Sequence, residues 1–285
     1  MNRQRHEVLA KTMLQTTAFF SIAAVLLIIV FVFCEGLPAL REVGLLSFVF
    51  GGIWQPMQGQ FGIWPMLVGS VYLTLGAILI GVPFGVGCAI LLAEFAPQKL
   101  VRIIRPAVEL LAGIPSVIYG FFGLMILVPL LRELFGGTGF SLLAGSLILG
   151  IMILPTVMTV SEDAIRAVPK SYKMASLALG ATHWQTVYKV ILPAAKSGII
   201  AAVVLGMGRA IGETMAVIMI TGNVPIVPDS ILAPIRTLTG NIAIEMGYAA
   251  GLHQQALFAT GIILFMLIFV LTGLANLVRW KGAKH

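Results

Sequence analysis

The sequence predicts an all-α, polytopic membrane protein with about six transmembrane helices, and three observations carry that reading. Hydrophobic residues make up 59% of the chain and charged residues only 10%, against about 25% charged in soluble domains. That leaves too little polar surface to coat a water-soluble fold. Six apolar runs are long enough for a hydrocarbon core of roughly 30 Å, which takes about 20 helical residues. The 18 Lys and Arg residues fall mainly in alternate connecting segments. The 31 glycines and 13 methionines fit closely packed membrane helices, where small residues admit neighbouring backbones. A single transmembrane domain over residues 1–285 is expected.

The first run, 12–34, follows Arg3, Arg5 and Lys11. It is longer than a signal-peptide core of about 7 to 15 residues. Bulky Phe31, Val32 and Phe33 precede Cys34 where a cleavage site would need small residues, so an uncleaved span is expected. The second run, 66–93, contains Pro83; the third, 107–131, contains Pro115; the fourth, 141–160, contains Pro155. Each proline removes a backbone donor and would kink its helix, so Pro115 is also expected at a helix-packing position. The fifth and sixth runs are 198–220 and 256–278. Cys34 and Cys88 lie in different runs without metal-ligand spacing and are expected to be small core residues.

The connecting segments set the orientation. The N-terminal tail, residues 94–106, residues 161–197 and the C-terminal tail together hold 14 of the 18 basic residues. The alternate segments hold one each, Arg41, Arg132 and Arg236, while Arg209 lies inside the fifth run. The positive-inside rule then places both termini in the cytoplasm. The formal net charge of +7 is explained without nucleic acid. On the outer side, Trp54, Phe61 and Trp64 suit a membrane interface where rings are half-buried. The outer segment 221–254, with Pro225, Pro228 and Pro234, looks like a loop that partly re-enters or covers an opening.

Segment 161–197 is long enough to be more than a turn. Met174, Leu177, Ala178 and Ala181 follow helical spacing, which predicts a short amphipathic helix ending near Gly180 in a left-handed cap. Such a helix either docks in a partner's groove or lies flat on the membrane surface. His183 beside Trp184 is expected to be a contact or surface residue, since no second metal ligand lies at suitable spacing. Glu94 and Glu109, near Lys99, Arg102 and Arg105, are expected to pair at the interface.

The spacing of Ala175, Ser176, Gly180, Val190 and Leu192-Pro193 resembles the EAA loop of binding-protein-dependent ABC importer permeases of type I. Met174 stands where that family has glutamate, and Val190 replaces an isoleucine. The resemblance implies a coupling helix, with Met174, Ala175, Ser176, Leu177, Ala178, Gly180, Ala181 and Thr182 seated on an ATPase subunit. That ATPase must be a separate chain, because no Gly-x-x-x-x-Gly-Lys-Ser/Thr phosphate loop occurs here.

The fifth run contains Arg209-Ala-Ile-Gly-Glu213. Each intramembrane charge costs roughly 2.5 to 3.5 kcal/mol on insertion scales. The i, i+4 spacing would let the two charges neutralise each other on one helix face, either as a structural pair or as one lining and gating a polar path. Arg209 and Glu213, with Thr214 following, are the candidate substrate-path residues. A guanidinium suits an oxyanion through a bidentate fork, and a nearby carboxylate keeps that contact weak enough for passage. Gly208 and Gly212 form a Gly-x-x-x-Gly step that would admit another helix.

The run from Arg209 to Asn223, together with Phe61-Gly-Ile-Trp-Pro-Met66 and the run from Glu109 to Gly123, resembles the PstC permeases of bacterial phosphate importers. This resemblance covers nearly the whole chain. It implies a subunit of the bacterial inner membrane that works with a PstA-like permease, two PstB-like ATPase subunits and an extracytoplasmic PstS-like phosphate-binding protein. ATP and Mg are expected on the ATPase, with no cofactor or metal on this chain. By physics alone, sulfate or molybdate would suit the same arginine. Two rivals are a secondary anion transporter with Glu213 as its proton site, and a membrane enzyme. The first lacks a convincing inverted repeat, and the second lacks an acid/base pair or metal set.

Overall fold

The computed structural model describes residues 2–282. The tail cations Arg3, Arg5, Arg279, Lys281 and Lys284 have side chains outside the described set.

Among the described residues, six helical rods are long and apolar enough to cross a bilayer: Lys11–Val43, Trp64–Phe95, Ser116–Phe135, Leu142–Arg166, His183–Gly212 and Leu252–Leu274. The first lies in α1 (Asn2–Val43), which is followed by α2 (Leu45–Phe50) and a hairpin of β1 (Trp54–Gln55) and β2 (Gln60–Phe61). Trp54 pairs with Phe61 across the hairpin. Both rings are buried, with 5% and 4% exposed, instead of half-buried at an interface. The hairpin folds them onto Phe48, Ile63 and Met66, where apolar partners replace lipid headgroups.

The second rod is α3 (Trp64–Ile90) closed by a π turn, Leu91–Phe95. It packs along α7 (Leu142–Arg166), the fourth rod, through facing small residues. A Cβ on Gly81 would stand 2.5 Å from the Ile153 side chain and 2.7 Å from the Gly150 carbonyl oxygen. Only glycine permits this approach. Pro83 and Pro155 remain inside their helices.

The third run departs from the sequence reading. Residues 107–113 belong to α4 (Gln98–Gly113), an amphipathic helix, and the crossing rod begins only at α5 (Ser116–Phe122) and continues through a π turn into α6 (Val128–Phe135). Proline disfavours helical backbone in the residue before it. Ile114 is accordingly extended at φ −69°, ψ 128°, which ends α4 and lets Pro115 stand at the cap of α5. Pro115 therefore separates two helices and does not kink one.

The fifth rod joins α9 (His183–Thr186), a π turn (Val187–Ile191) and α10 (Leu192–Gly212). Here too a single expected span is divided: α10 stops at Gly212, and α11 (Met215–Ile220) starts after an extended Glu213. The chain then loops back. Ile235 N donates to the Thr221 carbonyl at 2.9 Å, and α12 (Leu238–Glu245) follows. The Leu238 amide donates to Ser70 Oγ on α3 at 2.9 Å, and Thr239 Oγ1 donates to the Glu213 carbonyl at 2.9 Å. Segment 221–254 thus re-enters the bundle to the level of the helix break.

The sixth rod is α13 (Leu252–Gly282), which packs on α1. Phe31 and Phe258 meet edge to face at 5.5 Å, and Gly36 lies against the backbone of Phe258 and Ala259. The rest of α1 is largely exposed along its apolar length. Cys88 on α3 is half-buried against the cluster of Leu92, Ile165 and Ile191, while Cys34 is exposed on α1 and is not the core residue expected of it. In a membrane such a position faces lipid, which accepts a thiol without a packed core.

Three buried apolar clusters stack along the rods. One, with Phe48, Met66 and Leu257, lies at the hairpin end; the second, with Leu73, Ile148 and Ile220, fills the middle. The third, with Leu92, Ile165 and Ile191, lies at the end that carries Lys99, Arg166, Lys170 and Lys173, called the basic end below.

Candidate functional site

The expected ion pair is not formed. Among the described residues, no salt bridge joins Arg209 to Glu213. The i, i+4 geometry requires continuous helix, and the backbone turns extended at Glu213, φ −68°, ψ 133°. Local hydrogen bonds stabilise this break. Glu213 Oε1 accepts the Ala216 amide at 3.2 Å, satisfying one of the free donors that begin α11. Thr214 Oγ1 donates to the Gly212 carbonyl at 3.2 Å, satisfying an acceptor that ends α10.

Arg209 occupies the last turn of α10, where a cation complements the negative end of the helix dipole. Its Nη1 lies 3.5 Å from Thr156 Oγ1 on α7. Thr156 stands about 15 Å from the basic end of α7 and about 21 Å from the other, at 1.5 Å per residue. Arg209 is therefore near the middle of the bilayer. It is half-buried, as are Glu213 and Thr214. A guanidinium with no carboxylate partner among the described residues leaves a positive potential in a medium of low dielectric. No described residue of this chain approaches Gly208 or Gly212: added Cβ atoms there would meet nothing within 4 Å. The close approach expected at that step is not made within the chain, and the face remains open beside Arg209.

The second candidate site lies at the basic end. α8 (Lys170–Ala178) forms where the spacing predicts, and Gly180 takes φ +83°, a left-handed cap that L side chains enter only with strain. The Gly180 amide donates to Leu177 O at 3.0 Å and the Ala181 amide to Ser176 O at 3.3 Å. Thr182 and Gln185 then form a reciprocal capping box that starts α9. No residue of α8 is buried. Met174 is 69% exposed, Leu179 89% and Trp184 62%, so these apolar side chains are left largely uncovered by the described residues. Ala175 and Ala178 are exposed, while Ser176 is half-buried, its hydroxyl 3.0 Å from that of Thr186.

This arrangement meets a clear match among known proteins. Residues 81–279 match the family described as binding-protein-dependent transport system inner membrane component. The chain belongs to that family. One relative, "Probable ABC transporter permease protein YqgH" of Bacillus subtilis, is 40% identical over all of this chain and 93% of its own length. Another, "Phosphate transport system permease protein PstC" of Pasteurella multocida, is 36% identical over 99% of this chain and 95% of its own. Among solved structures, a chain of the inward-facing MetNI methionine ABC transporter superposes with a TM-score of 0.62. That match, at 22% identity, covers 81% of this chain and 99% of that one. A bacterial alginate importer chain superposes at 0.59 with 17% identity, covering 92% and 96%.

As an ABC importer permease, the chain is a multi-pass membrane subunit that works with an ATPase, a binding protein and a second permease. Family membership removes the secondary-transporter reading. The basic-end pairing follows the sequence in kind: Arg105 bridges Glu109 at 3.7 Å and Asp163 at 3.3 Å. Glu94 pairs instead with Lys173, and its backbone carbonyl lies 3.0 Å from His183 Nε2.

Two buried charge clusters of the permease escaped sequence reasoning. Glu162 is fully buried and bonds Arg166 at 2.7 Å; their i, i+4 spacing was a usable signal. At the hairpin end, Glu245 accepts from Trp54 Nε1 at 2.9 Å and Arg236 Nη1 at 2.6 Å, with His253 Nε2 2.8 Å away. Arg236, Glu245 and His253 come from one stretch at separations of 9 and 8 residues that match no single-helix pairing, and Trp54 comes from a distant segment, so no spacing announces the cluster.

Proposed function

We propose that this chain is a PstC-type permease that forms half of the phosphate path in an ATP-driven bacterial importer. The observation that carries the reading is the half-buried Arg209 at a break near mid-bilayer, without a carboxylate partner among the described residues. A tetrahedral oxyanion of phosphate's charge supplies the missing counter-ion, accepted through the guanidinium fork. The names of the curated relatives support phosphate over other oxyanions.

On this reading the basic end faces the cytoplasm, following the positive-inside rule, and both termini lie there. Met174, Leu177, Leu179 and Trp184 dock in a groove of one of two PstB-like ATPase subunits, with Ala175, Ser176, Ala178, Gly180, Ala181 and Thr182 shaping the contact. ATP and Mg belong to those subunits. A PstA-like permease covers the open face at Gly208 and Gly212, and the path runs between the two chains past Arg209, Glu213 and Thr214. A PstS-like protein delivers phosphate at the hairpin end.

The deciding experiment is uptake of labelled phosphate by the assembled importer, with sulfate and molybdate as competitors. Phosphate alone should compete, and uptake should vanish when the ATPase's phosphate-binding loop is disabled. Competition by sulfate or molybdate at equal concentration transfers the reading to those oxyanions. Uptake that persists without ATP hydrolysis rejects it.

A further inference from the structure

Residues 164–212 contain no Asp or Glu, so Lys170, Lys173 and Lys189 have no acid within their own segment. The acid comes from α3. Glu94, in its terminal π turn, has a side chain only 10% exposed and pairs with Lys173 on α8. Its Oε2 lies 3.8 Å from His183 Nε2 on α9. The neighbouring Phe95 ring meets His183 edge-on at 4.9 Å and Trp184 at 5.8 Å. Arg166, closing α7, donates to the Leu92 carbonyl at 2.9 Å. One wide turn of α3 therefore holds both limbs of the segment that joins the fourth and fifth rods.

A mostly buried carboxylate that loses its partner is left as an uncompensated charge, which favours movement of α3 and α8 together. At its other end, α3 holds the re-entrant segment: Ser70 Oγ accepts the Leu238 amide, and the next residue, Thr239, reaches the Glu213 carbonyl. The rod thus begins at the docking helix and ends beside the break in the fifth span.

We propose that Glu94 is a positioning residue for transport, a clamp that makes α3 follow the docking helix and carries its displacement to the re-entrant helix beside Glu213. The proposal rests on the reading of α8 as the ATPase contact. In the assembled importer, Glu94→Gln leaves subunit co-purification and unstimulated ATP hydrolysis as in wild type. Stimulation by the loaded binding protein, and uptake with it, falls about fivefold or more. Glu94→Asp recovers part of the loss, and combining Glu94→Lys with Lys173→Glu recovers more than either change alone. Full stimulation in Glu94→Gln, or no recovery in the exchange, overturns the clamp. Failure of both the Gln variant and the exchange to assemble also overturns it, since Glu94 is then a folding residue. The variants are read with whichever oxyanion the wild type transports. A wild type that ignores phosphate rejects the substrate reading alone.

Discussion

Glu213 accepts the backbone amide of Ala216 at 3.2 Å, so the carboxylate belongs to the start of α11. The two charges of the fifth span are thereby separated, each at the helix end whose dipole suits it.

Arg209→Gln is expected to leave assembly intact and lower phosphate uptake by about tenfold or more, since a bidentate fork to the anion is lost. Arg209→Lys should recover only part, because a point charge does not replace the fork. Uptake assays beside co-purification of the subunits check both. Normal uptake in Arg209→Gln would return this residue to a packing role with Thr156.

Glu213→Ala removes the acceptor at the start of α11 and should lower the stability of the detergent-solubilised subunit by about 1 kcal/mol. Glu213→Gln keeps an oxygen in place and should cost less. Thermal unfolding of the two variants checks the order. Equal losses would mean that charge, and not capping, holds the break.

Gly180→Asp places a side chain on a backbone at φ +83°, a strain of about 1–2 kcal/mol, and adds a charge beside exposed Leu179. ATPase co-purification should fall sharply. Gly180→Asn, which meets the same backbone but adds no charge, should retain more. Undiminished ATPase association and stimulation in the Asp variant would contradict docking through this helix.

Glu245→Ala leaves half-buried Arg236 without its counter-ion and buried Trp54 without an acceptor, with an expected loss of about 3 kcal/mol. The yield and melting of the purified permease measure this. A loss well under 1 kcal/mol would show that the cluster holds nothing together.

Much of this fold is legible from hydropathy, because the solvent for most residues is lipid and a long apolar run has few alternatives to a crossing helix. The first, second, fourth and sixth runs behave this way. The third and fifth do not, because their breaks depend on one or two residues. The backbone restriction that Pro115 imposes on Ile114 is local and is written in the sequence. The turn at Glu213 depends on hydrogen bonds that it accepts from Ala216 and from Thr239, and Thr239 returns only after a long excursion. Gly180 and the spacing around it announced α8, since its cap is a local event. Glu94 with Lys173 and Glu245 with Trp54 join residues far apart in sequence, and periodicity carries no record of them.

The pairing of α1 with α13 bears on how the molecule is made. The first span is largely bare, while its main partner, α13, is synthesised after the four spans between them. The contacts of Phe31 and Gly36 with residues 258–262 can form only after every intervening span is inserted. Until then α1 lacks its main packing partner in the bundle.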